Sequence, residues 1–251
     1  MRLERWDEAR RSLELLADKD HPELRYVRAR VAAGSGDPKA ALLLLEGLET
    51  SLPLLTDEIL RHRAEAALIA GPFALAAEYF AARPGVSALL KAAHAFQQAG
   101  DLARARALCD RVLNVEKRSR LQEADARTLR LTLGSPSGPT ELADARWLAV
   151  AGADHSAAPL ALAILTAASQ PLSAREHLTR AEVLADAGRT DDALRALDEA
   201  ERGQTEIPKV ERLHLRGMVL YRSRARYLEA AEVLRQAALL GGPRAADDAF
   251  H

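Results

Sequence analysis

Three hinges recur along this chain: Gly71-Pro72-Phe73-Ala74-Leu75-Ala76, Gly100-Asp101-Leu102-Ala103-Arg104-Ala105 and Gly188-Arg189-Thr190-Asp191-Asp192-Ala193. Each separates two stretches rich in alanine and leucine, and each places an alanine five residues after its glycine. Glycine ends a helix because it enters left-handed backbone space without a Cβ clash, and a small residue in the next helix admits a close neighbour. A chain punctuated in this way folds into antiparallel helix pairs stacked as a repeat.

The same frame fits weaker copies at Gly36 to Ala41, Ala225 to Ala230 and Glu4 to Ala9. Nine residues past the hinge stand Leu13, Leu45, Phe80, Cys109, Leu197 and Leu234, on the side of the second helix expected to be buried. Seven residues before it stand Ala29, Ala64, Ala93 and Ala181, where a small side chain lets the partner helix approach. Hinge spacings scatter around the roughly 34 residues of a tetratricopeptide repeat. Aromatic residues make up only 4% of the chain and no segment has a strand-like run. The expected fold is all-α, a right-handed superhelical α-solenoid of tetratricopeptide-like helix pairs.

The spacing predicts helices at about 5–17, 22–34, 38–49, 54–70, 73–82, 86–98, 102–116, 119–133, 140–151, 157–168, 173–187, 190–202, 208–223 and 227–240. Those at 119–133, 140–151 and 157–168 lack the hinge frame, and the run Gly134-Ser135-Pro136-Ser137-Gly138-Pro139 reads as a joint. The expected organisation is therefore N-terminal repeats over 1–133, an irregular helical connection over 134–172 and C-terminal repeats over 173–251. Trp6 to Leu16 fits the second helix of a pair, and Pro243 to His251 opens a further helix, so both chain ends are expected to fall inside repeats.

Charge narrows the function classes. Lysine plus arginine (35) nearly balances aspartate plus glutamate (36), which lacks the basic excess of a nucleic-acid binder. No uncharged run approaches the length of a membrane span, and the charged N-terminus lacks the apolar core of a secretion signal. Neither membrane insertion nor a nucleic-acid partner is expected.

Candidate chemistry is sparse. Cys109 occupies a position filled by leucine or phenylalanine in other copies, so it reads as a small core residue. His177 and His214 both stand eleven residues before a hinge, side by side as metal ligands would be, but two histidines without a third ligand read as packing residues. Asp191 and Asp192 suit the first turn of a helix, and Asp247 and Asp248 are expected on a solvated face. We expect no catalytic residue, no metal and no cofactor. The functional surface is expected to be a groove lined by the first helices, with Arg61, Glu65, His94, Gln97, Gln98, Arg212 and Arg222 along it.

Three stretches, LPLLTDEILRHRAEAALIAGPFALAAEYF (52–80), AHAFQQAGDLARARALCDRVL (93–113) and LSAREHLTRAEVLADAGRTDDALRALDEAE (172–201), with the ending AADDAFH (245–251), resemble the helical superhelix of soluble lytic murein transglycosylases. The resemblance implies a periplasmic bacterial protein, and without it the cytoplasm is the expected compartment. It also implies a catalytic domain elsewhere, whose glutamate is followed by serine; that pair occurs nowhere in this sequence. The chain then lacks the general acid that glycoside cleavage needs. The partners implied are that missing catalytic domain, another protein, or peptidoglycan strands.

Overall fold

The computed structural model describes residues 2–15, 21–134, 138–202, 207–241, 244, 245 and 248. Helices account for all its regular structure among these residues: α1 Arg2–Glu14, α2 Pro22–Gly34, α3 Pro38–Leu45, α4 Leu48–Ser51, α5 Thr56–Ala70, α6 Phe73–Ala81, α7 Val86–Gln98, α8 Leu102–Leu113, α9 Arg120–Leu133, α10 Pro139–Val150, α11 Ala158–Ala167, α12 Ala174–Asp186, α13 Thr190–Arg202, α14 Lys209–Arg222 and α15 Tyr227–Leu239. The fold is all-α. None of these helices is long and apolar enough to cross a membrane.

Several boundaries fall where capping chemistry puts them. At Gly36, Gly100 and Gly188 the backbone turns left-handed. The following amide then donates to the carbonyl five residues back, Asp37 to Ala32, Asp101 to Phe96 and Arg189 to Leu184, at 2.8–2.9 Å. These bonds satisfy carbonyls that the helix end leaves open. At Gly71 the next residue is Pro72, which has no amide to donate, and only the Gly71 amide bonds back, to Ala67 at 3.1 Å. Asp37 and Asp101 then cap the following helices by accepting from the amides of Ala40 and Arg104.

One predicted helix divides. The stretch 38–49 breaks after Leu45 because Glu46 is extended and Gly47 is left-handed, and the short α4 starts beyond it. The start of the 54–70 stretch is a 3-10 turn over Pro53–Leu55, so α5 begins at Thr56. Of the predicted joint, residues 135–137 lie outside the described residues, as do Leu16 and Ala17 of the first predicted helix.

By packing, the chain forms two compact units, 1–129 and 130–251, with α9 contributing residues to both. Within the first unit, α2 packs on α3, α3 on α5, and α5 to α8 each pack on the next. Trp6 of α1 rests against Gly34 of α2, where any Cβ would lie 2.5 Å from the indole. Within the second unit α10 to α15 pack in succession, and α10, α12 and α14 also touch in a row. Those three are the first helices of their pairs, so they form one layer of this unit.

The frame locates the core. Ala41, Ala76, Ala105, Ala193 and Ala230 are all buried, as are Leu45, Phe80, Cys109, Leu197 and Leu234 and the small residues Ala29, Ala64, Ala93 and Ala181. Each leucine enclosed in this way contributes about 1.5–3 kcal/mol relative to exposure.

The last hinge departs from the frame. Its left-handed residue is Arg224, not Ala225, and α15 starts three residues later, one more than after the glycine hinges. Counted from Arg224, the small position seven residues back is Gly217, which faces Leu234. One inserted residue therefore separates the registers of α14 and α15. His177 and His214 consequently do not share a position, since the residue eleven before Arg224 is Leu213.

Candidate functional site

The corrected register puts α12 and α14 side by side with matched charges. Arg175 and Glu211 both stand thirteen residues before their left-handed residue and pair at 2.6 Å, while Asp186 and Arg222, two residues before it, pair at 2.6 Å. Both bridges join residues 36 apart in sequence, one repeat length. They fix the sliding of one first helix along the other, and because all four side chains are solvent-accessible each adds at most about 1 kcal/mol.

The start of α12 is held more firmly. Ser173 and Glu176 form a reciprocal capping box, and Glu176, only 1% exposed, also receives the Arg146 guanidinium of α10 at 3.1 Å. One turn on, the Thr179 hydroxyl donates to the Ala149 carbonyl at 2.6 Å. A second enclosed pair, Arg130 with Asp144, bonds bidentately at 2.6 Å between α9 and α10. These contacts tie α10 to α12 and the end of α9 to α10.

Between the end of α10, α12 and α14 lies a cavity of about 400 Å³. Leu178, Thr179 and Leu215 are its buried floor, Val150, Pro208 and Val210 are apolar walls, and Arg175, Glu182 and Arg244 stand exposed at its mouth. Arg244 and Asp248 also line it, and the Asp248 amide bonds the Arg244 carbonyl at 2.9 Å. Asp248 itself is 2% exposed, and its Oδ1 accepts from His214 Nδ1–H. Its Oδ2 is buried without a hydrogen-bond partner.

This overturns the expectation that Asp248 is solvated; its neighbour Asp247 lies outside the described residues. The cause is tertiary. The chain returns after α15 and lays Asp248 on His214, a pairing 34 residues apart that no local pattern announces.

Glu182 keeps more than a third of its surface in solvent, yet the protein packed around it penalises the charged form and raises its pKa. Arg222 and Arg244 oppose that shift, and Asp186 and Glu211 add to it. Solvent at the mouth tempers the effect. His177 lies elsewhere on α12; burial, then Arg180, lower its pKa, and its buried Nδ1 meets no partner. Among the described residues no group of three or more histidine, cysteine or acidic side chains gathers as metal ligands would.

The groove candidates are dispersed. On α5, Arg61 is exposed and bonds Glu58, while Glu65 meets His62 at 3.3 Å; on α7, His94 and Gln98 are exposed and Gln97 is half-buried. On α14, Arg212 turns toward α13, with Glu201 at 4.0 Å, and Arg222 holds Asp186. None of the seven lines the cavity. The residues that do include Arg175, Glu182, Glu211, His214 and Asp248; the one-residue shift at Arg224, which the small Gly217 marks, obscured the match of Arg175 with Glu211, and no local pattern announces Asp248.

His214 and Asp248 pair as two members of a catalytic triad do, and the hydroxyl of the floor, Thr179, donates to the Ala149 carbonyl. Asp192, at the start of α13, is held below the usual carboxylate range by bonds to Arg189 and Arg195, which makes it a structural anion. Cys109 is fully buried. A comparison with models of known protein families matches none of them to this chain, and no curated protein matches its sequence.

Proposed function

We propose that this chain is a non-catalytic helical scaffold that holds a polypeptide segment against the first helices of its second unit. The observation that supports this reading is the cavity between α10, α12 and α14, with an apolar floor and a charged mouth on a layer pinned by side-chain bridges. In this proposal each unit is a right-handed stack of tetratricopeptide-like pairs, and the first helices line the receiving surface, as such repeats receive helices or extended peptides. The test is selection of displayed peptides on the full chain, followed by hydrogen exchange. Selected peptides should protect amides in 175–182 and 209–215; protection confined to other segments would reject this cavity as the receiving surface.

A second reading is favoured by the resemblance of 52–80, 93–113 and 172–201 to the superhelix of soluble lytic murein transglycosylases. Here the held segment belongs to a lysozyme-like catalytic domain, and the scaffold works in the periplasm beside peptidoglycan. Co-sedimentation with purified sacculi or association with such a domain is the expected result. Failure of both would remove the cell-wall reading and leave the peptide scaffold.

A further inference from the structure

We infer that the cavity selects a cationic side chain of the bound peptide, a lysine or arginine, with its aliphatic stem on Leu178 and Leu215 and its charged head toward Glu182 and Asp248. The inference rests on the peptide-scaffold reading and names the chemistry that reading selects.

Asp248 offers an unmet acceptor. Its carboxylate is enclosed and lines the cavity, one oxygen is satisfied by His214, and the other has no donor. A carboxylate has only acceptors, so a ligand that brings N–H groups relieves the unmet oxygen, whereas an apolar or anionic ligand leaves it as it is or worsens it.

The lining holds three carboxylates, Glu182, Glu211 and Asp248, against two guanidiniums, Arg175 and Arg244. Arg175 is already engaged by Glu211, and Arg222, the cation that draws Glu182 most, is engaged by Asp186. Arg244 draws Glu182 only at longer range. Glu182 therefore stands at the mouth as an acceptor open to a partner's cation.

Leu178 and Leu215 are buried apolar surface beneath these charges. A side chain that is aliphatic along its length and charged at its tip matches both at once.

The experiment is an NMR titration of the full chain with capped lysine, capped arginine, capped norleucine and 1,5-diaminopentane. The expected result is saturable shifts in 175–182 and 209–215 with the lysine or arginine probe, and binding of norleucine weaker by about tenfold or more. Glu182→Gln, a change at the exposed mouth, should weaken the lysine probe by about tenfold and leave norleucine unchanged. Asp248→Asn, with the resonances of α11 and α13 in the second unit as a folding control, should weaken it as well. Equal binding of norleucine and lysine in the cavity would overturn the cation assignment while leaving the peptide scaffold intact. Diaminopentane binding as tightly as capped lysine would overturn the peptide as the source. Shifts confined to other helices, or none with any probe, would overturn the inference.

Discussion

Gly217 offers the sharpest test of the packing between α14 and α15. A Cβ at this position would lie 2.5 Å from both Cγ and Cδ2 of Leu234, a side chain with no exposed surface. Carbon atoms in contact sit about 3.5–4.0 Å apart, so the overlap is about 1 Å or more. Two effects of opposite sign meet in Gly217→Ala. Helix propensity favours alanine by about 1 kcal/mol. Overpacking costs about 1–3 kcal/mol, and the upper end applies because Leu234 has no open side to turn into. The net expectation is a loss of about 2 kcal/mol. Leu234→Ala alone should cost about 2–5 kcal/mol through the cavity it leaves. The double variant removes the clashing atoms and returns a methyl group to the space, so it should be more stable than the summed single losses by about 3 kcal/mol. Urea unfolding followed by Trp147 fluorescence, in a Trp6→Phe background, reports the second unit alone, because those are the two tryptophans of the chain. If Gly217→Ala matches or exceeds its parent in stability, or the two changes simply add, the close approach of these helices is not what sets the register.

Three further expectations follow from named contacts. Arg130→Ala leaves Asp144 enclosed without its bidentate partner and should cost about 3–5 kcal/mol, with most of it recovered in the Arg130→Met, Asp144→Leu pair; a loss below about 1 kcal/mol in chemical denaturation would show the pair to behave as an exposed one. Arg224→Gly should raise the melting temperature, since glycine relieves a left-handed residue at φ 57°, by about 1 kcal/mol, while Gly100→Ala at φ 83° should lower it by a similar amount; equal signs would refute the hinge argument. Glu182 has a raised pKa in the folded state, so its ionisation destabilises the fold, and the stability tied to its neutral form fades as pH rises through that folded pKa. Glu182→Gln should therefore melt higher than its parent at neutral pH, and the difference should close as pH falls toward the ordinary glutamate value of about 4.3; a difference that widens on acidification would reverse the sign of the shift.

Legibility in the sequence followed the range of the interactions. Helix ends such as Gly100 and Gly188 are written in a few adjacent residues, because a left-handed glycine and the amide after it decide the cap, and the predicted 86–98 and 190–202 match α7 and α13. The buried face was legible for the same reason: an alanine five residues past the hinge and a large apolar residue four further on repeat with the helical period. The split of 38–49 at Gly47 was less so, since a glycine inside a helical pattern is often tolerated.

By itself, then, the sequence determined the helical class, most helix ends and the core positions, all products of local backbone preference and periodic burial. Only the tertiary structure decided the candidate site. Arg224, a residue with no intrinsic preference for left-handed backbone, takes the place of a glycine and moves α14 by one position relative to α15. The contacts of the site join separate segments: Arg175 pairs with Glu211, Glu182 stands at the cavity mouth, and His214 donates to Asp248 across 34 residues. Such a pairing depends on where a distant segment comes to rest, and adjacent residues carry no record of it.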